Sequence, residues 1–232
     1  MKHSFAEYYH VLVYDETVYD SYLKWVQSNT KGLCVLECAC GPGHLSYRLA
    51  EQGYLVDALD LDLSMIEFAK LNNSHRNINY YHQSMFDLSN LGTYDTIIIF
   101  LDSLNYCVNT DELHQFFSEA YKHLNHGGIL LFDMHHPSRL DEFNDEYIEE
   151  GLLFENYYQW SIQTIDDQMI HHNIAIYEED KPSIHQINQR VFSIEEIETL
   201  LSRVSFEFER ILHFDKLEFE LEEKLYYQAR KG

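Results

Sequence analysis

The sequence predicts a doubly wound, mostly parallel α/β sheet. From Leu33 to Asp133, short apolar runs alternate with longer amphipathic stretches, the pattern of strands separated by crossover helices. The runs include continuous β-branched segments such as Ile97-Ile98-Ile99, which suit strands buried on both faces. A turn of small residues follows the first run directly, at the place where such sheets bind ligands.

Taken in order, Phe5 to Val26 reads as one or two amphipathic helices loaded with Tyr8, Tyr9, Tyr14, Tyr19, Tyr22 and Trp25, a helical cap over residues 1–30. Strands are expected at Leu33–Leu36, Tyr54–Leu59, Ile78–Tyr81, Thr96–Phe100 and Ile129–Phe132. Between them lie helices over Leu63–Leu71 and Asp111–Leu124. The second helix opens with Thr110 as N-cap and Asp111 and Glu112 in its first turn. Its exit is expected at His126-Gly127-Gly128, where glycine supplies a left-handed residue. From about Leu152 to Phe192 the texture changes. Trp160–Ile165 and Ile170–Tyr177 alternate in period two around Asp166-Asp167, as antiparallel strands with one wet face do. That marks residues 137–192 as an antiparallel β insertion, a substrate lid or a dimer surface. The chain then returns to the core, residues 31–136 and 193–232, with a helix at Ser193–Ser202 and strands at Phe206–Leu212 and Lys224–Ala229.

Composition narrows the function classes. Acidic residues number 39 against 16 Lys and Arg, a formal charge of −23, so phosphate backbones and anionic membrane surfaces are repelled. Aromatics at 15% and hydrophobics at 45% supply a packed core and argue against disorder. No apolar run approaches membrane-spanning length and no signal-peptide core is visible. Of four cysteines, Cys34, Cys38 and Cys40 are clustered, which does not fit a secreted disulfide scaffold. A soluble, reduced, cytoplasmic protein, monomer or homodimer, is expected. The pairs His135-His136 and His171-His172 would point to opposite faces of a strand, so no metal site is expected.

The most informative stretch is Val35-Leu-Glu37-Cys-Ala39-Cys-Gly41-Pro-Gly43-His-Leu-Ser46. As a dinucleotide fingerprint it would need a glycine where Ser46 stands, and no cation precedes Arg48 to help hold a pyrophosphate. Glu37 suits an ammonium instead. Asp60 ends the second strand nineteen residues beyond Gly41, near the spacing of a ribose-binding carboxylate. A nucleoside with an amino-acid tail and no phosphates is S-adenosylmethionine.

These residues resemble a known family. Glu37-x-Ala39-x-Gly41-x-Gly43 resembles motif I of the class I S-adenosylmethionine-dependent methyltransferases, and Asp60-Leu-Asp-Leu-Ser-Met65 their second motif. Gln83-Ser84-Met85-Phe86-Asp87, Phe100-Leu-Asp102-Ser103-Leu-Asn105-Tyr106 and Leu124-Asn-His-Gly127-Gly128 to Asp133 continue the series. The match is closest to small bacterial methyltransferases that share the Asp-Ser-Leu-Asn-Tyr segment and an inserted β-layer. The resemblance implies a seven-stranded Rossmann-like sheet. It places Ala39, Gly41 and Gly43 along the methionine portion and Asp60 on the ribose hydroxyls. Leu61 would pack on the adenine beside Met65, with Ser84 and the Met85 amide at the ring edge. Leu101 and Asp102 would face the methyl group, and Tyr9 would lie over the cofactor. Ala39 stands where a glycine is commonest, and Ser84 where an Asp is usual.

For the chemistry, His135 lies just past the fifth strand and is the candidate general base. Tyr106, His135, Tyr157 and Trp160 are candidates for contacting a small-molecule acceptor, through aromatic faces that favour cations. The expected activity is methyl transfer from S-adenosylmethionine to an N or O atom of a small molecule. The competing readings are a non-catalytic S-adenosylmethionine-binding regulatory or interaction protein and a nicotinamide oxidoreductase, the latter disfavoured by Ser46 and Glu37.

Overall fold

A computed structural model describes residues 3–178, 181–214 and 222–232. Met1 and Lys2, which open the predicted cap, lie outside the described residues, as do 179–180 of the insertion and 215–221 of the core.

The isoleucine run and its neighbours are interior strands. A seven-stranded sheet is built from β1 (Cys34–Cys38), β2 (Leu55–Asp60), β3 (Ile78–His82), β4 (Tyr94–Ile99), β5 (Leu124–His135), β10 (Phe206–Ile211) and β11 (Lys224–Lys231). Its order is β10-β11-β5-β4-β1-β2-β3, with β11 antiparallel to β5 and β10 and the other pairings parallel. Ile97, Ile98 and Ile99 are all fully buried, yet they serve two cores. Ile97 and Ile99 face Leu113, Phe116 and Phe117 of α5 (Thr110–His123) and Ile197, Leu200 and Leu201 of α7 (Ile194–Val204). Ile98 faces Tyr22, Trp25 and Val26 of α2 (Glu16–Asn29) and Leu45, Leu49 and Ala50 of α3 (His44–Glu51). Helices on both faces are why these strands carry no alternation.

The α5 boundaries differ from expectation. Asn109, not Thr110, is the N-cap and accepts from the Glu112 amide at 2.9 Å. The helix ends at His123 and passes straight into β5 through an extended Leu124. The left-handed Gly127 (φ 76°) belongs to an irregularity in the β4–β5 register. The glycine pair therefore opens a strand rather than closing a helix.

The insertion forms a second, antiparallel sheet in the order β6-β7-β8-β9, from β6 (Tyr147–Leu153), β7 (Asn156–Thr164), β8 (Met169–Tyr177) and β9 (Pro182–Arg190). Sequence periodicity marks only β7 and β8. The two edge strands are missed because Glu149, Glu150 and Gly151 interrupt one and Pro182 starts the other, as edge strands tolerate. The expected turn is present, with the Asp166 carboxylate accepting from the Gln168 amide at 2.8 Å.

The aromatic cap divides in two. α2 belongs to the main core, whereas α1 (Phe5–Val13) inserts Tyr8 among Leu153, Tyr158, Ile174 and Ile176 of the second sheet. α1 opens with a capping box between Ser4 and Glu7 and reaches α3 through a 2.8 Å contact between the His10 and His44 rings. It thus spans from the insertion to the glycine loop.

Candidate active site

Strand order reverses between β1 and β4, and a crevice at their carboxyl ends is where an open α/β sheet takes its ligand. A cavity of about 770 Å³ lies there. Its walls come from the glycine loop after β1, the end of β2, the segment after β3, the turn after β4, and both cap helices.

The loop after β1 alternates left-handed residues: Ala39 at φ 53°, Gly41 at φ 51° and Gly43 at φ 80°. The Gly41 amide donates to Asp60 Oδ2 at 2.8 Å, and the Asp62 amide to Asp60 Oδ1 at 2.9 Å. One carboxylate therefore fixes the loop and the end of β2 together while still facing the cavity. The two glycines do different work. A Cβ on Gly41 would meet nothing within 4 Å, so its bareness opens the wall. A Cβ on Gly43 would stand 2.5 Å from the Tyr80 hydroxyl. Gly43, expected along the methionine portion, is not among the wall residues and serves the packing of the turn on β3.

Of the other residues singled out in the sequence, Tyr9, Ala39, Gly41, Asp60, Leu61, Met65, Ser84, Met85, Leu101 and Tyr106 line the cavity. Leu61 is 71% exposed at its mouth, an apolar face held beside a carboxylate. The wall also contains Glu37, read in the sequence as suiting an ammonium, and Phe5, Tyr19, Tyr22, Phe100 and Ile187, which the motifs do not mark as contacts. The aromatic loading of the N-terminus is the signal for Phe5, Tyr19 and Tyr22. Ile187 carried none, because its strand was not recognised.

The insertion reaches the cavity through Ile187 rather than through Tyr157 and Trp160, and neither of those is a wall residue. Tyr157 is on the outer face, its hydroxyl donating to Glu150, and Trp160 donates from Nε1 to His172 Nδ1 at 3.2 Å. Because strand side chains alternate, the inner residues of β9 face the core while Tyr157 is turned outward.

His135 and Asp102 are also absent from the wall. They belong to a polar cluster behind it. The Lys224 ammonium sits 2.7 Å from Asp102 Oδ2 and 2.8 Å from Asp133 Oδ2. Asp133 also accepts from the Tyr22 hydroxyl at 3.0 Å and the Asp102 amide at 3.3 Å. The His135 ring contacts Gln189 Oε1 at 2.9 Å through Nε2, and its Nδ1 lies 3.4 Å from Asp102 Oδ1 without hydrogen-bond geometry. His135, expected as the general base, thus lies behind the wall with its Nε2 engaged by Gln189 rather than on the cavity surface. Burial would push the Lys224 ammonium toward neutrality, but Asp102 and Asp133 more than reverse this and raise its pKa. Burial likewise opposes ionisation of Asp102, and the His135 and Lys224 charges overcome it, holding the carboxyl below its usual range.

The cluster explains a strained turn. Leu101 and Asp102 are consecutive non-glycine residues with φ of 58° and 60°, a conformation that persists only when its surroundings enforce it. Lys224 and Asp133 hold Asp102, which leaves Leu101 on the wall. The following Asn105 is fully buried. It accepts from the His135 amide at 3.0 Å and donates to the Arg190 carbonyl at 2.6 Å, stapling the turn to β5 and β9.

The ionisable wall groups are carboxyls, phenols and the Cys40 thiol, and among the described wall residues there is no Lys, Arg or His. Glu37 is buried and pushed up to about 8 by desolvation, partly countered by the Ser46 hydroxyl that donates to it. Burial also raises Asp60 and takes Tyr9 up to about 12. A ligand with several phosphates would face carboxyls here without a countercharge. A cationic ligand carrying a diol would find Asp60 and meet no opposing cation on the described wall. No cluster of three or more potential metal ligands occurs among the described residues.

Comparison with known proteins agrees with this architecture. Residues 35–128, from β1 into β5, match the family described as a methyltransferase domain. The Bacillus subtilis protein named "Putative methyltransferase YqeM" is 30% identical over 235 residues, covering 95% of both chains. A crystal structure of an S-adenosylmethionine-dependent methyltransferase from Clostridium acetobutylicum superposes with a TM-score of 0.80 at 22% identity, over 98% of each chain. The SAM-bound amino pentose methyltransferase CalS10 of Micromonospora echinaspora shares the fold with a TM-score of 0.73 at 14% identity, over 100% of this chain and 98% of its own. With a relative this similar matched along nearly its whole length, in addition to the domain match, the chain belongs to the methyltransferase family.

Proposed function

We propose that this methyltransferase uses S-adenosylmethionine as methyl donor and transfers the methyl group to an N or O atom of a small-molecule acceptor. The observation that carries the reading is the cavity itself. It combines a bare glycine wall, a ribose-spaced carboxylate anchored by two amides, and no cation among its described wall residues. That donor set fits a nucleoside whose tail is cationic and which carries no phosphate. When bound, the donor would supply a methyl group already activated by a sulfonium.

The chain's own residues would do the rest. Ala39 and Gly41 admit the amino-acid tail close to the backbone. Asp60 accepts from the ribose hydroxyls with the lone pairs its amide donors leave free. Leu61 and Met65 flank the base, with Ser84 and the Met85 amide at its edge. Leu101 fixes the floor at the methyl end, and Phe5, Tyr9 and Ile187 close the cavity against water. In-line displacement depends mainly on such positioning. A cleft of this volume with several aromatic wall residues suits a small acceptor, and CalS10, an amino pentose methyltransferase, has the same fold.

Calorimetric titration with S-adenosylmethionine and S-adenosylhomocysteine, with NADH as control, tests the donor. Micromolar binding is expected for both sulfur ligands, weakened in Asp60→Asn and abolished in Asp60→Ala. Binding of NADH alone would overturn the assignment.

A further inference from the structure

We infer that the acceptor is an amine, held beside Leu101 in the chamber formed by Tyr9, Tyr19, Tyr22, Phe100 and Tyr106. The inference rests on the methyl-donor reading above and names the substrate class of the same site.

The first argument is recognition. The five rings are all wall residues of the cavity, and Phe100 is fixed by stacking on Tyr22 at 4.3 Å between centroids. Aromatic faces attract an ammonium. The wall points the same way, because Asp60 faces the cavity and no Lys, Arg or His is among its described residues, the Lys224 ammonium being held between Asp102 and Asp133 behind it. A carboxylate or phosphate acceptor would enter this field against its sign, with no cation on the described wall to receive it.

The second argument is the proton. A hydroxyl acceptor must lose its proton at or before attack, to a base within reach. The phenols cannot serve. Desolvation raises the pKa of Tyr9, Tyr19, Tyr22 and Tyr106, so these groups stay protonated and donate. The carboxyls are committed, Glu37 to the Ser46 hydroxyl, Asp62 to the Ser64 amide and hydroxyl, and Asp60 to the amides of Gly41 and Asp62 and, on the donor reading, to the ribose, while burial keeps the Cys40 thiol protonated. His135 is not on the wall, and its Nε2 is engaged by Gln189. An amine that arrives as the ammonium, the form the rings attract, loses that proton to water before attack, so no base is needed in the chamber and the free form carries the lone pair. Its nitrogen forms the new N–C bond as the methyl–sulfur bond breaks, with that electron pair retained by sulfur. The product is a methylammonium, which faces the rings and then releases its proton to water.

Saturation-transfer NMR on the protein saturated with S-adenosylhomocysteine tests this with benzylamine, benzyl alcohol and benzoate, three probes of matched shape. Benzylamine is expected to show at least about fivefold stronger transfer than either partner, falling toward theirs in Tyr106→Leu. Equal or stronger transfer to benzyl alcohol or benzoate overturns the proposal, and so does the absence of transfer to benzylamine. Calorimetry with S-adenosylhomocysteine separates the two levels. If the sulfur ligand does not bind, the donor reading fails. If it binds and benzylamine shows no preference, only the amine assignment fails.

Discussion

Replacing Lys224 by methionine removes the single cation between two buried carboxylates while nearly conserving the side chain's length. In the native protein the ammonium is 2.7 Å from Asp102 and 2.8 Å from Asp133, and Asp133 is entirely inaccessible to solvent. Breaking a buried pair from one side costs about 3–5 kcal/mol, because the charge left behind has no compensation. For a domain of this size each kcal/mol lowers Tm by roughly 2–4 °C, so Lys224→Met should melt about 6–20 °C below wild type. Thermal unfolding by circular dichroism reads the shift. The sign with pH follows. In the variant the carboxyls' folded pKa values rise above the unfolded ones, so the folded state holds protons the unfolded chain has lost. Its stability deficit therefore shrinks on acidification toward about pH 4 and grows above it. Adding Asp133→Asn removes one uncompensated charge and should recover part of the loss. A Tm deficit under about 2 °C, or a double variant no more stable than the single one, would refute the view that these charges are paired and desolvated.

Other expectations follow from the same geometry. Glu37 has a folded pKa of about 8 against an ordinary 4.5. Its contribution is therefore complete below about pH 4.5 and is lost as pH rises through about 8. By urea titration, Glu37→Gln should gain on wild type across that window, by up to roughly 5 kcal/mol, and a pH-independent difference would refute the assignment. Gly43→Ala should cost about 1–3 kcal/mol, since it combines a left-handed φ with a Cβ 2.5 Å from Tyr80. Gly41→Ala should cost only about 1 kcal/mol and show its main effect in calorimetry as weaker S-adenosylhomocysteine binding; equal stability losses at the two glycines would contradict their separate roles. Asn105→Ala strands the His135 amide and the Arg190 carbonyl, both bonded to it within 3.0 Å. It should destabilise by about 2–4 kcal/mol, read as a lower urea midpoint.

Much of the architecture was legible because it depends on local pattern. Ile97-Ile98-Ile99 announces a strand covered on both faces, since no other arrangement buries three successive isoleucines. The glycine turn and Asp60 announce a ligand crevice, because bare backbone and a strand-end carboxylate are local requirements. Edge strands are weaker in sequence. β6 and β9 carry Glu, Gly, Pro and Gln, which an edge accepts and a pattern reader discounts. The exit of α5 is not legible locally, because a glycine near a helix end looks the same whether it caps the helix or lies in the strand that follows, as Gly127 does in β5.

The sequence by itself determined the sheet class, the position of the crevice and the cofactor-like signature of its first two strands. Which side chains reach the crevice was decided only in three dimensions. His135 looked catalytic from its place after β5, but contacts from Gln189 and Asp102, 54 and 33 positions away, place it behind the wall. Lys224 had no signal at all until strand pairing set β11 against β5 and brought its ammonium between two distant carboxylates. Local pattern records which residues can form an element. Long-range pairing fixes where an element's alternate residues point, and in this protein that separates the chamber wall from the charge cluster that holds it.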